Sequence, residues 1–209
     1  MELTEDLRVR PARDDDRRAV GRLLALGFPD KFGPIFGREP ERVAAVLADL
    51  PPTGRVYVAD CRGQVVGTFT LVLEPRPAPP LWPVLRRHLS FGAALQATFL
   101  LGFLGSSLPD PATAVVEAVA VLPEWRGRGV GRRMMMEALQ QARAAGRRRV
   151  ALYVVEGNEP AVRLYRSLGF QVVRAQPLWW QRWLFGARRV LYMAAELRLS
   201  NGAERPQGG

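Results

Sequence analysis

From Val119 to Arg133 the chain reads VAVLPEWRGRGVGRR, an apolar run ending at Pro123 and passing into Gly127, Gly129 and Gly131 interleaved with Arg126, Arg128, Arg132 and Arg133. Such a stretch suits an anion. Glycines let backbone N–H groups approach phosphate oxygens, the N-terminus of the helix that follows adds about half a positive charge, and the arginines add more. A pyrophosphate is the guest this implies. Spacing separates the devices that hold one. A P-loop needs Gly-Lys-Ser/Thr, and no lysine stands there. A dinucleotide fingerprint needs Gly-x-Gly-x-x-Gly directly after a strand, with an acid about 20 residues on. Glu156 suits the acid's place, but the third glycine comes one residue early and Pro123-Glu124-Trp125 separates strand from loop.

A second chemical signal lies just upstream. Glu117 interrupts the apolar run from Ala114 to Leu122, and a carboxylate there is costly to bury alone, so it faces either a cleft or a cation. An ion pair with one of the many arginines is the alternative to a catalytic role. Other chemistries are excluded by supply: one cysteine, Cys61, and one histidine, His88, make neither a cysteine-rich zinc site nor a two-histidine metal pair. Cys61 reads as an incidental thiol in a turn, His88 as a solvated neighbour of Arg86 and Arg87, and Met134-Met135-Met136 as core.

These residues need elements to position them. At 209 residues with 48% hydrophobic and 24% charged side chains, the chain has the composition of a globular domain. Leu7 to Arg10 reads as a strand, followed after Asp14-Asp15-Asp16 by a helix through Leu26 and a second helix from Glu39 to Leu50. Val56 to Ala59 and Val65 to Leu73 form a hairpin. Ala114 to Leu122 is a buried strand, Val130 to Ala145 a helix closed by Gly146, and Val150 to Val155 another buried strand. Asn158 caps a helix reaching Leu168, with Pro160 tolerated in its first turn. Phe170 to Val173 and Arg189 to Leu197 are the last strands. The class is therefore α/β with a mixed sheet.

The glycine loop, written Val121-x-Pro123-x-x-Arg126-Gly127-x-Gly129-x-Gly131, resembles the acyl-CoA pyrophosphate loop of the GNAT superfamily of N-acetyltransferases. Asn158-x-x-Ala161-x-x-x-Tyr165-x-x-x-Gly169-Phe170 resembles the helix and strand that follow in that superfamily. The resemblance covers roughly 7–73 and 113–198 and is strong over 114–172. It implies the GNAT acyl-CoA N-acyltransferase fold, with an apolar helical insertion between the third and fourth strands. It also implies direct transfer from acetyl-CoA, as cosubstrate and without a metal, to a primary amine in a ternary complex. Backbone N–H groups of Arg126, Gly127, Arg128, Gly129, Val130, Gly131 and Arg132 would hold the pyrophosphate. Main-chain groups of Val119 and Val121 would line the pantetheine arm, and Asn158 would touch it. Tyr165 would protonate the departing thiolate and Glu117 would be the base. The alternatives are a core aromatic for Tyr165 and an ion pair for Glu117.

One domain is expected over 1–200, with the insertion at 76–110 and a flexible tail at 201–209. Leu89 to Pro109 carries no charge, but its glycines and polar residues argue against a membrane span. It is expected to be a packed helix, a homodimer contact or a lid touching the acceptor or a membrane surface, with the tryptophan-rich 179–185 segment as its partner. The formal net charge is +10, and Lys31 is the one lysine beside twenty-nine arginines in a basic total of 30. No nucleic-acid motif accompanies that charge, so no nucleic-acid partner is expected. Met1 to Arg10 has no apolar run, so a cytoplasmic location is expected. The acceptor is a small-molecule or peptide amine, and a degenerate acyl-CoA-binding or basic interaction module is the competing reading.

Overall fold

Seven strands pair in the order β1-β2-β3-β4-β5-β7-β6 in a computed structural model that describes residues 6–74, 80–103, 110–177 and 189–197. The strands are β1 (Leu7–Pro11), β2 (Arg55–Cys61), β3 (Gln64–Val72), β4 (Thr113–Val121), β5 (Arg149–Val155), β6 (Gln171–Pro177) and β7 (Arg189–Glu196). Every pairing is antiparallel except β4 with β5. That parallel pair requires a crossover, supplied by α6 (Val130–Ala144). The mixed sheet expected from the sequence is thus present.

The remaining helices are α1 (Arg17–Gly27), α2 (Pro29–Phe36), α3 (Pro40–Asp49), α4 (Leu81–His88), α5 (Phe91–Phe103) and α7 (Glu159–Ser167). Between β1 and the hairpin the sequence leads one to expect two helices, but there are three. The third, α2, contains Gly33 and Pro34, poor helix formers that hide it from propensity reasoning. Its apolar residues Phe32, Ile35 and Phe36 bury themselves and hold it in place.

Burial divides into two clusters. Sheet residues such as Phe69, Val116, Leu152 and Met193 pack with Met134, Met135, Val162, Tyr165 and Phe170 of the α6–α7 side. On the other side Phe32, Ile35, Phe36, Val46 and Leu47 pack with Leu85 of α4, Leu89 just after it, and Ala94 and Ala97 of α5. The uncharged stretch therefore docks on α2 and α3 through part of its surface, leaving Phe91 and Leu95 exposed at 63% and 57%. The tryptophan cluster expected to meet it, and the tail 201–209, lie outside the described residues. Among the described residues no helix is long and apolar enough to cross a membrane.

Three side-chain expectations need correction. Cys61 is not in the turn but ends β2, buried in the core. His88 is not merely solvated: its Nε2 lies 2.8 Å from Asp49 Oδ2, tying α4 to α3. Met136 is exposed, while Met134 and Met135 are core. The acids before α1 do more than meet a helix dipole. Asp16 accepts hydrogen bonds from the Arg13 amide at 2.7 Å and from Arg10, and Arg10 also donates to Asp60, so one guanidinium joins β1, β2 and the helix entrance. That guanidinium holds the Asp16 carboxyl below its usual range.

Helices α1 and α3 meet at Gly21, where a Cβ would come within 2.3 Å of the Ala44 carbonyl oxygen. Alanine is the better helix former by about 1 kcal/mol. Even so, Gly21→Ala is expected to lower stability by about 1–3 kcal/mol in urea unfolding, because the backbones must part. Unchanged or raised stability would mean the helices separate freely.

Candidate active site

The site begins where a pairing fails. β4 and β5 are in register from Thr113 opposite Arg149 to Val116 opposite Leu152. Both strands then continue, to Val121 and Val155, without facing each other. On its other edge β4 stays paired with β3 through Val121, but with a bulge. Thr70 faces Glu117 and Thr68 faces Ala120, leaving Ala118 and Val119 opposite Phe69. Ala118 adopts φ +54° to make the extra residue fit, a left-handed conformation that side chains rarely take. The parting leaves a slot whose β4 wall, including Val119 and Val121, offers main-chain groups to an extended ligand.

At the end of that wall the chain makes a short 3-10 turn, Pro123–Trp125. The Arg126 N–H closes it by donating to Pro123 O at 3.2 Å, so the row of amide donors expected from Arg126 starts at Gly127. Arg126 instead donates through Nε to Val121 O at 3.2 Å, clamping the end of β4. Gly127 and Gly129 have φ of +74° and +82°, which turn the loop so that Gly127 to Gly129 lead into the first turn of α6 in a tight curve. The first helical bond runs from Arg133 N–H to Gly129 O. Among the described residues, the N–H groups of Gly127 through Arg132 serve no other backbone acceptor. A Cβ at Gly127 or Gly129 would meet nothing within 4 Å, so the glycines keep open the space over those donors. Trp125 is buried under the loop, with the Arg128 guanidinium 5.5 Å from its ring centroid.

Gly131 has another duty. A Cβ there would lie 3.1 Å from Leu164 Cδ2, so this glycine lets α6 press on α7. Arg132 adds a hydrogen bond to Ser167 at 3.1 Å across the same contact. On α7, Asn158 accepts the Ala161 N–H at 3.3 Å through Oδ1. Its carbonyl end caps the helix, and its amide N–H groups are left to donate.

Glu117 and Tyr165 lie on opposite faces of the sheet. Val116 points into the α6–α7 cluster with Tyr165, so Glu117, the next residue, points to the α1–α2 side. There it accepts a hydrogen bond from the Thr53 hydroxyl at 2.8 Å. Burial raises the Glu117 carboxyl above its usual range, opposed by that hydrogen bond and by the charge of Lys31. Burial in turn lowers the Lys31 ammonium, opposed by Glu117. Neither Thr53 nor Lys31 was marked by motif. The one available signal was that a chain so biased to arginine keeps a single lysine.

Tyr165 is 6% exposed, its ring 5.9 Å from that of Phe170. Burial pushes its phenol up to about 12. It is a core aromatic by packing, yet among the described residues no hydrogen bond engages its hydroxyl, and the hydroxyl is not sealed from solvent. The packed ring and the unengaged hydroxyl leave both readings of Tyr165 compatible.

Comparisons with known proteins agree with this geometry. The Acetyltransferase (GNAT) family pattern matches residues 23–170. A GCN5-related N-acetyltransferase structure from Kribbella flavida is 26% identical and superposes with a TM-score of 0.61, covering 92% of this chain and 99% of that one. A GNAT acetyltransferase from Elizabethkingia anophelis, solved with acetyl-CoA bound, shares the fold at 14% identity and a TM-score of 0.55, covering 92% of this chain and 99% of that one. A mycothiol acetyltransferase of Thermobifida fusca is 49% identical over 57 residues, 27% of this chain and 18% of the relative. Mycothiol acetyltransferases of this kind are matched over only 17% to 31% of their own length. A slot between parting strands, a glycine turn of unengaged amides and a family pattern running through both make this chain a member of the GNAT acetyltransferase family.

Proposed function

We propose that the chain transfers the acetyl group of acetyl-CoA to a primary amine by direct attack in a ternary complex. The parting of β4 from β5 after Val116, ending at the glycine turn, carries this reading. It provides an extended polar wall for a pantetheine arm and a cluster of amides for a pyrophosphate, as one continuous surface. Acetyl-CoA supplies an acyl group activated as a thioester. The chain's residues supply the rest. Gly127 to Arg132 hold the diphosphate, Asn158 and the β4 wall at Val119 and Val121 orient the arm, and a β4 amide stabilises the developing oxyanion. Glu117, as carboxylate, takes the proton of the attacking amine from the α1–α2 side. From the opposite face Tyr165 donates to the departing sulfur, a role its raised pKa preserves in mildly alkaline solution. The acceptor, a small-molecule or peptide amine, enters beside Lys31 and Thr53, and exposed Phe91 and Leu95 suit a partly hydrophobic one.

The cofactor half is tested by melting. Acetyl-CoA should raise the melting temperature, by mass action on the folded state, and NAD should not. Gly129→Val should cancel the shift, because a side chain enters the donors' space and φ +82° becomes strained by about 1–2 kcal/mol. A shift with NAD alone would sink the proposal.

The chemical half is tested by kinetics. Tyr165→Phe keeps the ring but loses the acid, so kcat should fall about 10²-fold with acetyl-CoA affinity retained. Normal turnover would make Tyr165 purely structural.

The pH profile separates the roles further. Glu117 must be ionised to act and its pKa is raised above 4.5. The rate should therefore rise with pH through that elevated value, and Glu117→Gln should remove this limb and cost most above it, where the wild-type carboxylate is ionised and the acceptor amine still needs to lose a proton. Tyr165 must be protonated, and at about 12 it should impose no alkaline loss near pH 10. An acid limb unchanged in Glu117→Gln would exclude the base role.

A further inference from the structure

Lys31 is the chain's one side-chain amine, and the chain that leads into it packs against the slot's β4 wall. Gly27, the last residue of α1, presses on β4 so closely that a Cβ would lie 3.0 Å from Ala120 Cβ. Ala120 belongs to the part of β4 that has left β5. Pro29 then opens α2, which puts Lys31 in the first turn of that helix. The amine is half-buried, with Nζ 5.3 Å from the Phe32 ring centroid. Its charge and that of Glu117 act on each other, and Thr53 fixes the carboxylate from a third element.

An acceptor amine must come near the base that relieves it of a proton, and the end of α1 that leads into Lys31 already packs on β4 three residues beyond Glu117. We infer that Lys31 is itself an acetylation site: with acetyl-CoA bound and the acceptor absent, its Nζ receives the acetyl group. Burial favours the uncharged amine that this requires. The ammonium first loses one proton, which passes through solvent to Glu117. The lone pair on Nζ then attacks the thioester carbon, a nitrogen–carbon bond forms and the carbon–sulfur bond breaks. Sulfur leaves with the bonding pair and takes a proton from Tyr165. The second Nζ proton passes to solvent and restores Tyr165, and Glu117 releases its proton, so the sum is an amide, CoA thiol and one proton. No oxidant or further reactant enters.

The product is a stable amide. It removes the positive charge that favours the Glu117 carboxylate and fills the acceptor's place, so the modified chain turns over its amine substrate more slowly. Transfer to Lys31 is thus self-limiting, and external amine protects against it by competition. This inference rests on the acetyl-transfer reading above.

The experiment is intact-mass analysis of the full chain incubated with acetyl-CoA and no amine. With one lysine in the sequence, the expected result is a time-dependent gain of a single acetyl group that peptide mapping places on Lys31, with CoA thiol released in equal amount. Lys31→Arg and Lys31→Gln should gain none there, Glu117→Gln should slow the gain by about tenfold or more, and heat-unfolded chain should label far more slowly than folded chain. Overturning results are no acetyl on Lys31 in a protein whose melting temperature rises with acetyl-CoA, or equal labelling of folded and unfolded chain. In those cases Lys31 serves only as the countercharge of Glu117. No melting shift with acetyl-CoA overturns the function proposal, and this inference with it.

Discussion

A β-strand that loses its neighbour must find other partners for its backbone, because an unpaired N–H or C=O away from water costs about as much as a lost hydrogen bond. The departure of β4 from β5 after Val116 creates that demand in the middle of a seven-stranded sheet, where it is least easily met by solvent. The surrounding structure follows from it. β3 holds the far edge of β4, at the expense of a bulge and a left-handed Ala118. The Arg126 side chain secures the end of the strand. What remains is a row of polar backbone positions that an extended ligand with amide groups can complete.

The same parting sets the electrostatics. Alternation along β4 sends Val116 to one cluster and Glu117 to the other side, so the slot is approached by a carboxylate from one face and a phenol from the other. Burial acts on both groups in the same direction, favouring their neutral forms. For the proton-donor role proposed for Tyr165 this is an advantage. For a base it is an obstacle, countered by the Thr53 hydroxyl and the Lys31 charge.

Much of this was legible in the sequence, for identifiable reasons. Long apolar runs and capping residues mark β4, β5, α6 and α7, and Asn158 does cap α7. The glycine loop was legible because anion binding restricts residue type at every second position. Illegible were features that arise from packing across the chain. Gly131 and Gly129 look alike in the motif, yet one answers to Leu164 and the other to a backbone torsion. The α2 helix was hidden by Pro34, and its tertiary burial outweighs its poor propensity. Thr53 lies 64 positions from its partner Glu117, and no local pattern encodes that pairing.

The division of the apolar interior has a consequence for how such a chain changes over time. The glycine turn, Tyr165 and the α6–α7 contact are anchored in one cluster, whereas α2, α4 and α5 are anchored in the other. Substitutions in regions that share no partners add nearly independently. Apart from Lys31, whose charge acts on Glu117, residues on α2, α4 and α5 can therefore change without disturbing the packing of the glycine turn and Tyr165. Evolvability here would come from anchoring the two sides of the sheet in separate cores.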